Sequence, residues 1–408
     1  MTAKLIVLGV ILRRQVGKLT RRSGKSTLMS AKTAIVLVAV AGASALSVAT
    51  SVSSAQDIDS AELGGWALQP KIAWASTRDD PAIEPLLAGE IYLMNPDLTG
   101  VERVTFTDDA GNAAPKLSPT GKRMVFESNR FRLDAPLFNQ LVVTDLFLMD
   151  TVVSAKEPTD WPSREHVHIV RGASASWHPD GRRIAYHASA SGEGFPLRPN
   201  PGSQTSDSDI FSLSVDEFLA GEEAPVNLTN SAAWVDDDPD YSPDGQKIAF
   251  TRHGVNDPHD NSVTAEIWVM NADGSDLTRL TFNNEEERGP AWSPDGTKIA
   301  YACRKGANPL GPTRPDGTLR PLTFEICVMN ADGSGETRLT FNTTPDLTPS
   351  YSLDGSQIVF SRTVGTAQLF RMNADGSEQT QLTSASAGIN LFGHQGVIKV
   401  TGLGGGDD

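Results

Sequence analysis

Ser293-Pro294-Asp295-Gly296-Thr297-Lys298-Ile299-Ala300-Tyr301, then Glu325-Ile326-Cys327-Val328-Met329-Asn330-Ala331-Asp332-Gly333, then Arg338-Leu339-Thr340 is the stretch that decides the fold. The first piece reads as a tight turn feeding a strand. Pro presets φ at the first corner, Asp bonds its own backbone, and Gly takes the positive-φ position that sends the chain back as a hairpin. The second piece is another strand ending in a second tight turn, and the third is a short closing strand. One such unit is a four-stranded antiparallel meander, with strands a, b, c and d.

The unit recurs along the chain. Strand b ends in an aromatic at Trp74, Phe126, Tyr186, Phe250, Tyr301 and Phe360, with spacings of 51 to 64 residues. Five copies are preceded by the turn, at Ser118-Pro119-Thr120-Gly121, His178-Pro179-Asp180-Gly181, Ser242-Pro243-Asp244-Gly245, Ser293-Pro294-Asp295-Gly296 and Ser352-Leu353-Asp354-Gly355. Strand c begins at Glu90, Asp145, Asp209, Glu266, Glu325 and Gln368. A single meander cannot bury both faces, whereas six in a row stack radially, so the expected fold class is all-β, a six-bladed β-propeller of four-stranded antiparallel blades. The first unit lacks its own strand a. The segment 388–400 reads as a degenerate strand a, turn and strand b, and its strand a is expected to complete the first blade, closing the ring by pairing of N- and C-terminal strands. A seventh, partial blade is the competing reading of this segment.

The (S/H)PDG, KIA(F/Y/W) and MNADG…RLT pattern, over residues 71 to about 383, resembles the TolB-type repeat of WD-like β-propellers. The resemblance implies a six-bladed propeller used in the bacterial envelope for protein binding, with its ligand surface at one mouth of the channel. TolB itself carries an α/β domain ahead of the propeller, for which only residues 56–70 are available here. Similar propellers occur in prolyl-oligopeptidase-type peptidases, and this chain shows no hydrolase domain.

Of 408 residues, 39% are apolar and 21% charged, a balance that buries a core. Eight of the 35 basic residues and none of the 50 acids fall within residues 1–55, leaving 27 bases against 50 acids, a net of −23, over the rest. So acidic a body repels phosphate backbones and anionic lipid, which argues against nucleic acid as a partner. Residues 33–50 form an apolar run after basic residues and before Ser53-Ser54-Ala55, the pattern of a secretory signal. The domain reading is therefore 1–55 export leader, 56–70 short linker, 71–402 propeller and 403–408 Gly/Asp tail. The mature protein is expected in the periplasm or secreted, monomeric and without stable membrane insertion. Gly24-Lys25-Ser26-Thr27 mimics the end of a P-loop, but no Gly stands at the required earlier position.

From the strand-b aromatic to strand c, the b–c connections span 15, 18, 22, 15, 23 and 7 residues, while the a–b and c–d turns are tight. Elaboration on one side of a rigid scaffold assigns function to the b–c/d–a face. Three residues before the Pro of each strand a stand Asn112, Asp236, Glu287 and Asp346, with Gly172 and Ala387 in the remaining units. A partial acidic ring at the channel mouth would bind a cation or a basic peptide segment. Cys303 and Cys327 are expected to form a disulfide across the b–c hairpin base in an oxidising compartment. His166 and His168 share one side of an outer strand but lack the further ligand that a metal needs, so no metal and no cofactor is assigned. The strand aromatics read as packing residues, leaving the loop aromatics Trp161 and Phe195 as possible ligand contacts. The functional expectation is a non-catalytic protein-binding scaffold for an envelope or extracellular protein. The alternative is an extracytoplasmic carbohydrate- or peptide-cleaving enzyme with a carboxylate-lined site at the channel mouth.

Overall fold

The computed structural model describes residues 66–78, 89–107, 110–130, 144–154, 160–189, 208–231, 234–254, 265–283, 285–304, 323–384 and 390–401. The export leader, the residues of the 56–70 linker before Trp66, the 403–408 tail and Phe195 lie outside them, as do most of the residues of the five long b–c connections. No helix of the described residues is long and apolar enough to cross a membrane.

Six sheets, each with four antiparallel strands, form the propeller, and Val153–Ser154 adds a short parallel strand to that of blade 1. Blade 2 runs through Asn112–Leu117, Arg123–Ser128, Asp145–Asp150 and Val167–Arg171, and blade 3 through Ala173–Trp177, Arg183–Ser189, Ser208–Ser214 and Val226–Asn227. Blade 4 uses Trp234–Tyr241, Lys247–Gly254, Ala265–Asn271 and Thr278–Arg279, and blade 5 Glu287–Trp292, Lys298–Arg304, Phe324–Asn330 and Thr337–Arg338. Blade 6 uses Asp346–Tyr351, Gln357–Val364, Thr366–Asn373 and Thr380–Gln381. Blade 1 takes strand b from Trp66–Ser76, strand c from Glu90–Met94 and strand d from Glu102–Arg103, while strand a is Asn390–Thr401 from the other end of the chain. The expected closure is thus present. Its detail differs: residues 390–401 form one continuous strand rather than a strand, turn and strand, so no seventh blade starts among the described residues. Strand b of blade 1 also begins earlier than residue 71, because that long partner offers backbone pairing from Thr401 onward.

The apolar side chains of strands b and c supply the core. Ile72, Met124, Ile184, Ile248, Ile299 and Ile358, one from each strand b, are fully buried, and burying such a side chain contributes about 1.5–3 kcal/mol. The aromatic at the end of strand b faces one on strand c, as in Trp74–Tyr92, Phe126–Phe147 and Tyr186–Phe211, with centroids 5.6–6.0 Å apart. Trp74 and Tyr92 also pack with Val359 and Leu369 of blade 6, which joins the first blade to the last. Trp161, expected at a ligand surface, is instead 5% exposed and its indole Nε1–H donates to Glu102 Oε2 (2.9 Å).

Side-chain chemistry explains the turn motifs. Ser242 Oγ donates to Asp244 Oδ1 (2.6 Å) and accepts from the Lys247 amide (2.9 Å), and the same pair of bonds recurs around Ser293 and Ser352. Gly245 sits at φ 72°, where a Cβ would collide with His178 Nε2 of the preceding blade at 2.2 Å. The Thr of the Arg-Leu-Thr motif is equally defined. Thr281 and Thr340 accept from the Ile267 and Ile326 amides (2.9 Å each) and donate to the carboxylates that open strand c, Glu266 and Glu325. Those carboxylates also receive Arg279 and Arg338.

Candidate functional site

Each strand a enters the channel through the same device. Its pairing with strand b breaks register at one bulge, and in five blades the first bulged residue is left-handed: Ala114 (φ 45°), Ser174 (49°), Asp238 (52°), Gly289 (59°) and Thr348 (54°). A non-Gly residue held there costs about 1–3 kcal/mol, and bulges re-aim the side chains around them. The bulge divides strand a into an upper part, which holds the residues expected to bind, and a lower part facing the channel.

The upper residues are buried. Asp236, Glu287 and Asp346 are fully covered and Asn112 nearly so. Asp236 receives Arg252 through Nε and Nη2 (2.6 and 2.8 Å), and Asp346 receives Arg362 the same way (2.7 Å each). Asn112 donates to Glu90 Oε2 (2.9 Å) and accepts from Arg130 (3.1 Å). Glu287 accepts from Asn283 Nδ2 (2.8 Å). The solvent-facing acidic ring expected from the sequence is therefore corrected: these side chains are joints between blades, each lying near the acid or amide that opens strand c of the preceding blade. Asp209 raises Asp236, and Asp346 raises Glu325, on top of burial that acts first in the same direction. Glu266 is also raised by burial, and it shares a hydrogen bond with Glu287.

Gly172 replaces an acid in blade 3 because a Cβ would meet the Tyr186 ring at 2.6 Å. In blade 1 the equivalent residue is Asn390, fully buried, which accepts from the Trp74 indole (3.0 Å) and donates to Gln368 (3.1 Å). The Pro-based count pointed to Ala387 because Gly393 stands where most blades have Pro; Ala387 lies outside the described residues.

The lower residues form a ring of their own: Lys116, Ser176, Asp240, Ala291, Ser350 and His394, one per blade. Four of them accept a backbone N–H from the next blade. Tyr241 donates to Ser176 Oγ (3.1 Å), Trp292 to Asp240 Oδ2 (2.8 Å), Gln395 to Ser350 Oγ (3.5 Å) and Leu117 to His394 Nδ1 (3.4 Å). With Ala114, Ser174, Asp238 and the residues around Trp292, Tyr351 and Gln395, the ring members Lys116, Asp240, Ala291, Ser350 and His394 line an open channel cavity of about 270 Å³. Burial raises Asp240, against Lys116 and two hydrogen bonds that lower it. Burial holds His394 well below the usual imidazole range, helped by Lys116. Sequence reasoning missed this ring, although its signal was present: the residue after each bulge Pro.

A second polar group lies beside the channel at the base of the b–c connections of blades 3 and 4. His253 Nε2 is 3.4 Å from Asp237 Oδ2 and His187 Nε2 is 3.9 Å from Oδ1, while His187 Nδ1 accepts from the Asp238 amide (3.2 Å). Burial acts against Asp237 ionising, yet these imidazoles and Ser208 bring it down to about 2. Among the described residues no group of three His, Cys, Asp or Glu side chains is placed to hold a metal. His166 packs edge-on against Phe126, and His168 Nε2 meets Asp145 Oδ1 (3.1 Å) where blades 1, 4 and 5 use Arg.

On the outer rim, Phe106, Phe282 and Phe341 are exposed, but each lies under an Arg of its own strand d, with Arg103, Arg279 and Arg338 at 4.7, 5.2 and 4.7 Å from the ring centres. Blades 3 and 6, with Asn227 and Gln381 at the Arg position, have Asn230 and Ser384 at the Phe position. The rings thus shield the buried Arg–Glu pairs from solvent.

No protein-family profile matches the chain. It is 27% identical over 215 residues to an uncharacterised protein of Agrobacterium fabrum, covering 52% of this chain and 58% of that one. It is 24% identical over 147 residues to an uncharacterised peptidase of Bacillus subtilis, covering 36% of this chain and 20% of that one. The chain thus spans little more than half the length of the first of these curated relatives and a fifth of the second. Among solved structures, TolB from Acinetobacter baumannii superposes with a TM-score of 0.55 at 18% identity, covering 80% of this chain and 66% of that one. The fold is the TolB-like six-bladed propeller.

Proposed function

We propose that the chain is an extracytoplasmic, non-catalytic binding module that docks a protein partner on the end from which the b–c connections emerge. The observation that carries the reading is the asymmetry of the two ends. The a–b turns and the c–d turns of blades 1, 4, 5 and 6 close within a few residues, and only the c–d connections of blades 2 and 3, residues 151–166 and 215–225, are longer, whereas five of the six b–c connections are long and only blade 6 closes tightly, at Gly365. The bases of these connections are stiff: Arg252 and Arg362 are locked to Asp236 and Asp346, and Arg304 to Glu286. Bases held in this way fix the points at which the connections leave and rejoin the sheets. The net charge of −23 after residue 55 favours a basic partner. The buried Cys303–Cys327 disulfide favours an oxidising compartment.

The test is capture from an envelope extract with the mature chain from Gln56, eluted by a salt step, beside a variant whose 255–264 segment is cut to a single Gly as in blade 6. Capture of one protein by the parent, lost in the trimmed variant at unchanged melting temperature, supports docking on the loops. Capture indifferent to trimming sinks it. A shortened oligosaccharide or peptide in the eluate replaces it with a hydrolytic or lytic activity.

A further inference from the structure

We infer that the c–d connection of blade 2 is a latch on the ring closure: it holds the end of the trailing strand Asn390–Thr401 by a second edge, and that strand is released only after the latch lifts. The observation is a strand paired outside its own blade. Blades 1, 4, 5 and 6 join strands c and d by short turns, and blade 3 does so through the helix Val215–Leu219, which meets blade 2 in the Arg123–Asp216 ion pair (2.6 Å). In blade 2, by contrast, Val153–Ser154 pairs in parallel with Val400–Thr401 of blade 1. Strand a is the last strand of its sheet in each of the other five blades. Val400 and Thr401 are bonded on both edges, since they also face Ala67 and Trp66 of strand b.

Side chains hold the connection in place. Trp161 is buried in the apolar cluster that contains Val104 of blade 1 and Ile398 and Val400 of the trailing strand, with Val153 packed against the same cluster. Its indole N–H donates to Glu102 on strand d of blade 1 (2.9 Å), so the connection reaches that blade at both its innermost and its outermost strand. Arg164 shapes the path between. Its guanidinium lies over the Trp161 ring, 4.5 Å from the centre, and donates to the Asp150 and Val152 carbonyls (2.7 and 2.6 Å). Latch and strand also meet at one atom: the Gly121 carbonyl accepts both the Thr151 hydroxyl (3.0 Å) and the Lys399 amide (2.6 Å). Gly is needed there, because a Cβ would stand 2.8 and 2.9 Å from backbone atoms of Ile398 and Lys399.

Local opening begins where a chain ends, since the last pairs of a strand have neighbours on one side only. The pair Trp66–Thr401 is the last of the closing ladder, and the latch is bonded to that residue and the one before it. Fraying is thus blocked at its origin, and loss of the strand is coupled to withdrawal of Trp161 from a cluster shared by blades 1 and 2. This device lies at the end opposite the b–c connections and is independent of what they bind.

The experiment is native-state hydrogen exchange, read by mass spectrometry, on the whole chain and on its variants Trp161→Ala and Arg164→Met. In both variants exchange of residues 396–401 and their partners 66–71 is expected to accelerate by at least about tenfold more than exchange of Ile267–Met270 in blade 4 and Ile326–Met329 in blade 5. Equal acceleration in all of these segments would mark Trp161 as an ordinary core residue acting through global unfolding, and it overturns the proposal. Unchanged exchange of residues 396–401 overturns it as well. Arg164→Met leaves the buried indole and its bond to Glu102 in place, so it decides the matter if Trp161→Ala does not fold: selective acceleration at residues 396–401 supports the latch, and its absence removes it.

Discussion

Cys303 and Cys327 are bonded diagonally across strands b and c of blade 5, with Cα atoms 5.8 Å apart, and each takes the place of a different staple. Cys327 stands opposite Tyr301 where the other five blades oppose two aromatics, and Cys303 stands opposite Glu287 where blades 4 and 6 have Arg252 and Arg362. The bond thus stands in for both an aromatic pair and an arginine clamp.

Removing it is expected to be costly. With the two positions 24 apart in sequence, the chain-entropy model gives about 3 kcal/mol, and the double variant C303A/C327A should show that loss in urea denaturation. The double variant C303R/C327F, which restores the residues used by blade 6, should recover most of it. Equal stability of the two double variants would show that the bond does not replace those staples.

Glu287 stands opposite Cys303 and shares a hydrogen bond with Glu266, whose carboxyl is raised from the ordinary 4.5 by burial, against that bond, which lowers it. A carboxyl that keeps its proton longer when folded contributes stability fully below about pH 4.5, and that contribution is lost as pH rises through the raised value. The urea midpoint of E266Q should therefore fall less with rising pH than that of the parent. Parallel curves would exclude a proton retained on Glu266.

His166 carries the opposite sign. Burial, and then Arg130, bring its imidazole from 6.5 to about 4. The folded state binds the proton less readily than the unfolded chain, so stability is complete above about 6.5 and is lost as pH falls toward 4. H166L should remove this acid limb in the same denaturation series, and a limb of unchanged depth would assign it elsewhere.

Asp236 and Asp346 are buried against Arg252 and Arg362, so D236N and D346N each leave a buried guanidinium without its counter-charge. Such a loss costs about 3–5 kcal/mol. Thermal denaturation should show a large drop for each. A drop of only a few degrees would return these residues to the surface role that the sequence suggested.

The repeat made the fold legible. The turn motifs, the aromatic that ends strand b and the short strand d reappear in the structure as hydrogen-bonded turns, stacked rings and Thr–carboxylate bonds, because each depends on residues close in sequence or at one fixed offset. Even the ring closure could be read, from a first unit without strand a. The carboxylates of strand a could not be read correctly, since an acid before a Pro looks the same whether its partner is water or an arginine sixteen residues away on the neighbouring strand. The ring of Lys116, Asp240 and His394 was hidden for another reason. Its members vary from blade to blade, and what unites four of them is the amide that each meets on the next blade, a relation between repeats rather than within one.

Strand Asn390–Thr401, the partner of Trp66–Ser76, carries a consequence for how the protein comes into being. A chain emerging N-terminus first presents strand b of blade 1 more than three hundred residues before its inner neighbour exists. Throughout that interval one sheet edge is unpaired and the final inter-blade interface is missing, so the nascent propeller is an open arc rather than a ring. Biogenesis then has a last step, the clasping of the arc by its own trailing strand. A holdase that covers the edge of residues 66–76 until then would suppress pairing between copies, the fate to which exposed edges are prone.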